Sequence, residues 1–278
     1  MVRHWTLTPA FTGSSPVIPA QHHEGFRCAF SFKNFWFKQE LHMIFEKSVQ
    51  VRYSEVDLNG DITLDAIVDY LQDIVMLHAE DVGMGFRQIK EMGTVWFLST
   101  WQVEIIKTPR IYQNIKVRTN PYGFKGFFGN RNVWIEDESG NMMVRANSIW
   151  VYLDMNGMVP KRIEEKAIAP YEPLEPMLDM DYSTRKIAMP TNFTPLTPIP
   201  VRYSQLDTNK HVNNCEYIKT AMEVAEIKEM PKQLRVEYKK SALLGNVFFP
   251  YICKENDSVY IDLRDGDGTS FATVVFEY

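Results

Sequence analysis

The feature that most constrains this chain is a segment it carries twice. VRYSEVDLN at 51–59 and VRYSQLDTN at 201–209 align without a gap at an offset of 150, with six of nine positions identical. The next two residues then differ, Gly60-Asp61 in the first copy and Lys210-His211 in the second. A match this short can arise by chance, but the pattern downstream of each copy is also shared. After the first comes TLDAIVDYLQDIVMLHAEDVG, in which Leu64, Ile67, Val68, Leu71, Ile74 and Val75 recur at helical spacing behind Thr63, a suitable N-cap. Strand patterns come next at 95–106, 113–123, 127–137 and 141–153, the last two separated by the turn signal ESGN. The second copy is succeeded by a helical pattern over about 212–230, capped by Asn213 or Asn214, and by strand patterns at 233–240, 246–254, 258–265 and 270–278. The alternating IFEKSVQVRY leads into the first copy as a further strand. The shared order of strand, Asp-x-Asn turn, helix and four strands identifies a duplicated domain.

One long helix wrapped by an antiparallel sheet is the hotdog arrangement, so the expected fold is α+β, a tandem double hotdog. Such units pair, with sites at the pair interface. A tandem copy supplies both partners in one chain as an internal pseudo-dimer, and a homodimer of such chains stays open. The expected boundaries are an N-terminal hotdog at 43–159, a linker at 160–200 and a C-terminal hotdog at 201–278. The linker holds eight of the fifteen prolines and no sustained periodicity, with room for short structured pieces. Residues 1–42 fit neither unit. They lack the basic and apolar regions of a signal peptide, and GSSP at 13–16 can be encoded by GGT TCG AGT CC, which contains the T-loop consensus of transfer-RNA genes. They read as a start-site artefact or a disordered leader.

Composition excludes several classes. A net charge of −5 argues against a general nucleic-acid binder, and no apolar run approaches the ~18–20 residues of a membrane span. Cys28, Cys215 and Cys253 have neither paired nor metal-like spacing, which suits reduced thiols in a cytoplasmic protein and no metal or other cofactor.

DTNKHVNNCEYI, Asp207 through Ile218, resembles the active-site stretch of the acyl-acyl carrier protein thioesterases, bacterial and plant plastid alike. VRYSEVDLNGDITL, HAEDVGMG and TVWFLSTWQVEI in the first half are similar to that family too, so the resemblance covers about 43–278. It implies hydrolysis of the thioester of fatty acyl-acyl carrier protein, with Asp207, Asn209 and His211 as the catalytic polar group. The family carries a further carboxylate after the helix, in a pattern like EYxxE, followed in plant members by a cysteine. Here that strand reads VEYKKSA: Glu237 and Tyr238 match, while Ser241 and Ala242 stand at the late Glu and Cys positions. A cysteine nucleophile there is excluded, and Ser241 or Glu237 is left to orient water or substrate.

The chemistry needs an activated water and a polarised carbonyl. An imidazole titrates near neutrality and can serve as general base. The helix beginning near Asn213 and Asn214 offers backbone N–H groups as an oxyanion hole. Plainer roles stay open: turn residues for Asp207 and Asn209, and a packed small residue for Cys215 rather than a partner of His211. Met76, Met84, Trp96 and Phe97 are candidate linings of an acyl pocket in the first half. Lys239-Lys240 and Lys161-Arg162 are candidate contacts for the acidic carrier protein. The rivals are an acyl-CoA thioesterase of the same fold and a hotdog that binds acyl thioesters without hydrolysing them.

Overall fold

The computed structural model describes residues 44–278, so the leader at 1–42 lies outside the described residues. The N-terminal part runs β1 (Phe45–Gln50), α1 (Leu64–Asp81), α2 (Phe86–Glu91), β2 (Thr94–Ile105), β3 (Asn114–Lys125), β4 (Phe128–Asp137) and β5 (Met142–Asp154). A connecting stretch holds β6 (Val159–Pro160), α3 (Glu165–Ile168), β7 (Thr194–Pro195) and β8 (Ile199–Pro200). The chain then runs through α4 (Asn214–Ala225), β9 (Gln233–Tyr238), β10 (Val247–Glu255), β11 (Ser258–Arg264) and β12 (Ser270–Glu277).

The strands form one sheet in the order β1-β3-β4-β5-β2-β9-β12-β11-β10-β7, with β8 on β10 and β6 on β5. The order is palindromic about the β2–β9 seam, so two hotdogs share a continuous sheet. The seam carries the symmetry of the duplication. Strand ends VEIIKTPR and VEYKKSAL align at an offset of 133, and across the seam Gln102 pairs with Arg235, its own counterpart at that offset. Short β8 replaces β1 in the second half: Val49 pairs with Ile115, and Ile199 with Phe248. Inside the sheet lie α1 and α4, which bury Leu64, Ile67, Val68, Leu71, Ile74 and Val75 from one and Cys215, Tyr217, Ile218 and Ala221 from the other in a single apolar cluster. The helices also touch each other where the Cys215 thiol donates to the carbonyl of Asp65, its counterpart at an offset of 150 (3.3 Å).

The repeated string is explained by the turn it builds. The backbone N–H of Arg52 donates to the Glu55 carboxylate, and that of Arg202 to the Gln205 amide oxygen, each at 2.8 Å, so Glu and Gln are interchangeable there. The next turn requires a left-handed residue: Gly60 has φ 78° and Lys210, at the same place, φ 63°. A side chain in that region costs about 1–2 kcal/mol, while glycine gives part of this back through the greater freedom of the unfolded chain. Lys210→Gly is therefore expected to stabilise the fold by about 0.5–1 kcal/mol. It should raise the urea midpoint at an unchanged m-value, and an unchanged or lower midpoint would refute the strain.

One sequence expectation is corrected. The second helix stops at Ala225 instead of near 230, because Glu226 turns left-handed (φ 54°) and the Ile227 N–H closes back on the Met222 carbonyl at 3.0 Å. Ile227 and Met230 then pack against the core from outside the helix. The proline-rich stretch holds only short elements and packs on the sheet. Residues 178–187 lie on the sheet face opposite the helices and satisfy polar groups buried there: Gln102 bonds Asp181 and Ser183, Asn132 accepts from Leu178 and Tyr182, and Glu237 accepts from the Ile187 N–H. Among the described residues no helix is long and apolar enough to cross a membrane.

Candidate active site

The two Asp-x-Asn turns are close copies. Asp57 Oδ1 accepts from the N–H groups of Asn59 (2.8 Å) and Asp61 (3.0 Å), and Asp207 Oδ1 does the same for Asn209 (2.8 Å) and His211 (3.0 Å). The Asp207 carboxylate thus shapes the turn that carries His211, with the bonds its counterpart makes in the copy without an imidazole. Asn209 is exposed, its amide 3.5 Å from the other Asp207 oxygen.

The copies differ at the fifth turn residue. In the first, Asp61 faces Arg110 (3.6 Å), which also donates to the Asn59 carbonyl (2.9 Å). In the second, His211 is half-buried and its backbone bridges to Leu243, the residue at the Arg110 position. An internally neutralised ion pair is thereby replaced by an imidazole beside an exposed leucine. Ser241 lies one residue before Ala242, whose carbonyl accepts from the Val212 N–H (2.9 Å), so the Ser241–Leu243 segment runs alongside His211. The Tyr217 hydroxyl pins that segment by accepting from the Ala242 N–H (2.8 Å).

The start of α4 is also held by the first half. Asn213 is the N-cap, accepting from the Cys215 N–H at 3.0 Å. Gln72, from α1, donates to Asn213 Oδ1 (3.4 Å) and accepts from Asn214 Nδ2 (3.1 Å). Tyr238 donates to the Asn214 carbonyl at 2.9 Å. The Asn213 N–H is committed to the Gln205 carbonyl (2.9 Å), so it is no oxyanion donor. The Asn214 N–H bonds to nothing among the described residues and remains available.

Glu237 is not brought to this turn. Strand alternation sends Val236 and Tyr238 toward α4 and Glu237 to the opposite face. There it is 7% exposed, bonded to Ile187 and 4.0 Å from Arg185. Cys215 does not pair with His211 either; burial pushes its thiol well above the usual range. Lys239 donates to Thr273, Lys240 pairs with Asp265 (2.9 Å) and Lys161 with Glu164 (2.6 Å), so these lysines are locally engaged. Among the described residues no three His, Cys, Asp or Glu side chains converge as metal ligands.

A cleft of ≈ 420 Å³, counting its open mouth, lies between α1, β3 and β4 and the connecting stretch. Met76 and Trp96 line it, with Phe124, Trp150, Arg131 and Tyr171. Met84 sits in an adjoining small core with Tyr152, and Phe97 packs on the main core, so neither lines the cleft. Gln72, Met76 and Ala79 succeed one another at successive turns of α1, which carries the helix from the cap of α4 to the cleft. Gln72, Tyr217 and Arg131 escape sequence reasoning because their roles depend on which elements meet. Gln72 and Arg131 stand in no motif, and Tyr217, although it lies within the Asp207–Ile218 stretch, owes its role to a bond with Ala242 that the stretch does not reveal.

Two family models match the chain: the acyl-ACP thioesterase N-terminal domain over residues 42–171 and the acyl-ACP thioesterase C-terminal domain over 191–260. The palmitoyl-acyl carrier protein thioesterase of Arabidopsis thaliana, a chloroplastic protein, is 26% identical over 220 residues, covering 71% of this chain and 52% of its own. The chain spans about half the length of the curated relatives it matches. Among solved structures, an acyl-ACP thioesterase from Bacteroides thetaiotaomicron superposes with a TM-score of 0.77 at 20% identity, over 84% of this chain and 97% of that one. The 12:0-ACP thioesterase from Umbellularia californica gives 0.74 at 19%, over 84% and 96%. At these identities the structural likeness speaks for the fold alone.

Proposed function

The chain belongs to the acyl-ACP thioesterase family, and on that premise we propose that it hydrolyses the thioester of fatty acyl-acyl carrier protein, with His211 as general base. The observation that carries this reading is the asymmetry of the duplicated turn. One geometry is kept twice, and the imidazole stands only in the copy whose following helix is capped with help from the other half.

In this mechanism a water on His211 attacks the thioester carbonyl carbon and gives its proton to the imidazole. The carbonyl oxygen takes up the negative charge near the Asn214 N–H and the positive end of α4. Collapse breaks the C–S bond, the departing thiolate recovers the proton from the imidazolium, and a free fatty acid leaves. Asp207 is a positioning residue that fixes the turn, and Asn209 and Ser241 flank the water as polar neighbours. Gln72 holds the cap, so the non-catalytic half takes part in the site. The buried, unpaired Cys215 and Cys253 are in keeping with a reducing, cytoplasmic setting.

The test is thiol release from matched acyl-acyl carrier proteins and acyl-CoAs. Preference for the carrier-bound series supports the proposal. Equal or better turnover of the CoA series points to the acyl-CoA thioesterase of the same fold. Binding without release in either series identifies a non-catalytic acyl-thioester binder.

A further inference from the structure

The loops that follow β2 and β9 are built alike at an offset of 133. The Arg110 N–H donates to the Gln113 amide oxygen (3.0 Å), and the Leu243 N–H to the Asn246 amide oxygen (2.8 Å). The carbonyls of Pro109 and Ala242 accept from the neighbouring turns, from Ile62 and Val212, each at 2.9 Å. Asp61 bridges to Arg110, and His211 to Leu243. One bond of the second loop has no counterpart in the first. The Ala242 N–H donates to the Tyr217 hydroxyl at 2.8 Å. The first half has Pro109 and Ile67 at these two places, so donor and acceptor are both missing there.

A proline ring stiffens the first loop at this point and leaves no donor to satisfy. Alanine in the second loop does neither. Ala242 is fully buried, so its N–H needs a partner, and α4 supplies one. Tyr217 is itself 2% exposed, with its ring edge-on to Tyr238 (5.7 Å) and tilted against Phe248 (5.4 Å). Phenylalanine would serve that packing equally well, so the hydroxyl is there for the loop. Burial pushes its phenol up to about 12, which keeps it neutral. The loop it holds places Ser241 and Leu243 on either side of Ala242, beside His211. We propose that Tyr217 is a positioning residue for the reaction: through the Ala242 N–H it keeps the Ser241–Leu243 segment in register with the His211 turn. The proposal rests on the reading of His211 as general base, because Tyr217 acts on the surroundings of that residue and not on the substrate. Loss of the hydroxyl should therefore fall on kcat and spare KM.

Tyr217→Phe keeps the ring and removes the acceptor. It is expected to lower kcat for acyl-acyl carrier protein by about 10–100-fold, with KM within about twofold of wild type. The double variant Tyr217→Phe/Ala242→Pro also removes the stranded N–H, which reproduces the Ile67–Pro109 arrangement of the first half. It should recover most of the lost kcat together with the urea midpoint, circular dichroism confirming the fold of each variant. A folded Tyr217→Phe with the kcat of wild type, or one whose loss lies in KM, overturns the proposal. So does a double variant that regains the midpoint but not kcat, because the hydroxyl would then act on the reaction itself. If Tyr217→Phe does not fold, the double variant decides: kcat near wild type supports the proposal, and its loss in a folded protein overturns it. Hydrogen exchange on the wild type needs no variant. The Ala242 amide should be protected like the amides within β9, and exchange at the rate of an exposed loop overturns the proposal. Absence of turnover by the wild type would defeat the thioesterase reading and this inference with it; turnover indifferent to the hydroxyl would defeat this inference alone.

Discussion

His211→Ala is expected to lower kcat for acyl-acyl carrier protein by about 10²–10⁴-fold, the range for a general base, with KM little changed. The proton transfer is made only in the transition state, so its loss should fall on kcat and kcat/KM alike. Three features of the turn predict that the variant folds. The Asp207 carboxylate bonds the backbone N–H of residue 211, not its side chain. The bridge from 211 to Leu243 is likewise made by backbone. The first copy adopts the same turn without an imidazole. Residual activity should persist, because the Asn214 N–H and the end of α4, the proposed oxyanion donors, remain in place. Thiol release measured across the acyl panel, beside a circular dichroism check, decides the matter. Activity within about threefold of wild type would place water activation elsewhere, since a general base contributes far more than that.

Asp207→Ala provides the complementary reading. Asp57 and Asp207 make the same backbone bonds, so Asp57→Ala and Asp207→Ala should lose similar stability, while only the second also disturbs His211, the proposed general base.

How much of this is legible in the sequence depends on what a linear pattern can encode. Helix and strand periods are local, and α1 with its Thr63 cap and the hairpin at Asp137–Asn141 lie where the residues put them. The end of α4 is misread from sequence because apolar Ile227 and Met230 continue the helical spacing, although the left-handed Glu226 has already ended it. The turn at Asp207 can be read because duplication displays it twice, once with His211 and once without. Glu237 is the avoidable error: Val236 and Tyr238 on either side are apolar, so a strand through them must face Glu237 away from α4. The commitment of the Asn213 N–H to Gln205 is beyond sequence, since it depends on how the turn folds back. So is the contact between His78 and Arg131, 53 residues apart, which exists only because α1 lies over β4.

That contact sets the second large effect, on stability against pH. His78 is 3% exposed, packed flat on Phe45 (5.2 Å) and edge-on to Tyr171 (5.3 Å), and its value falls from 6.5 to about 3 through burial first and Arg131 second. At pH 7 the group is neutral folded and unfolded, so its full contribution is present. As pH falls below 6.5, the unfolded chain binds a proton that the folded chain refuses, and unfolding becomes easier by on the order of 1 kcal/mol per pH unit. The loss continues until the folded group itself protonates near pH 3. Depressed carboxylates such as Asp57, Asp137 and Asp265 add their own losses only toward and below their ordinary value of 3.8. The interval from pH 6.5 to 5 therefore isolates the histidine from them. Urea midpoints across that interval should fall steadily in the wild type. In His78→Asn, whose Oδ1 can stand where Nδ1 stood, they should fall by roughly 1 kcal/mol per pH unit less, from a lower starting stability because the ring packing is lost. The same slope in both proteins would mean that His78 protonates in the folded state near its ordinary value, and that Arg131 does not hold it neutral.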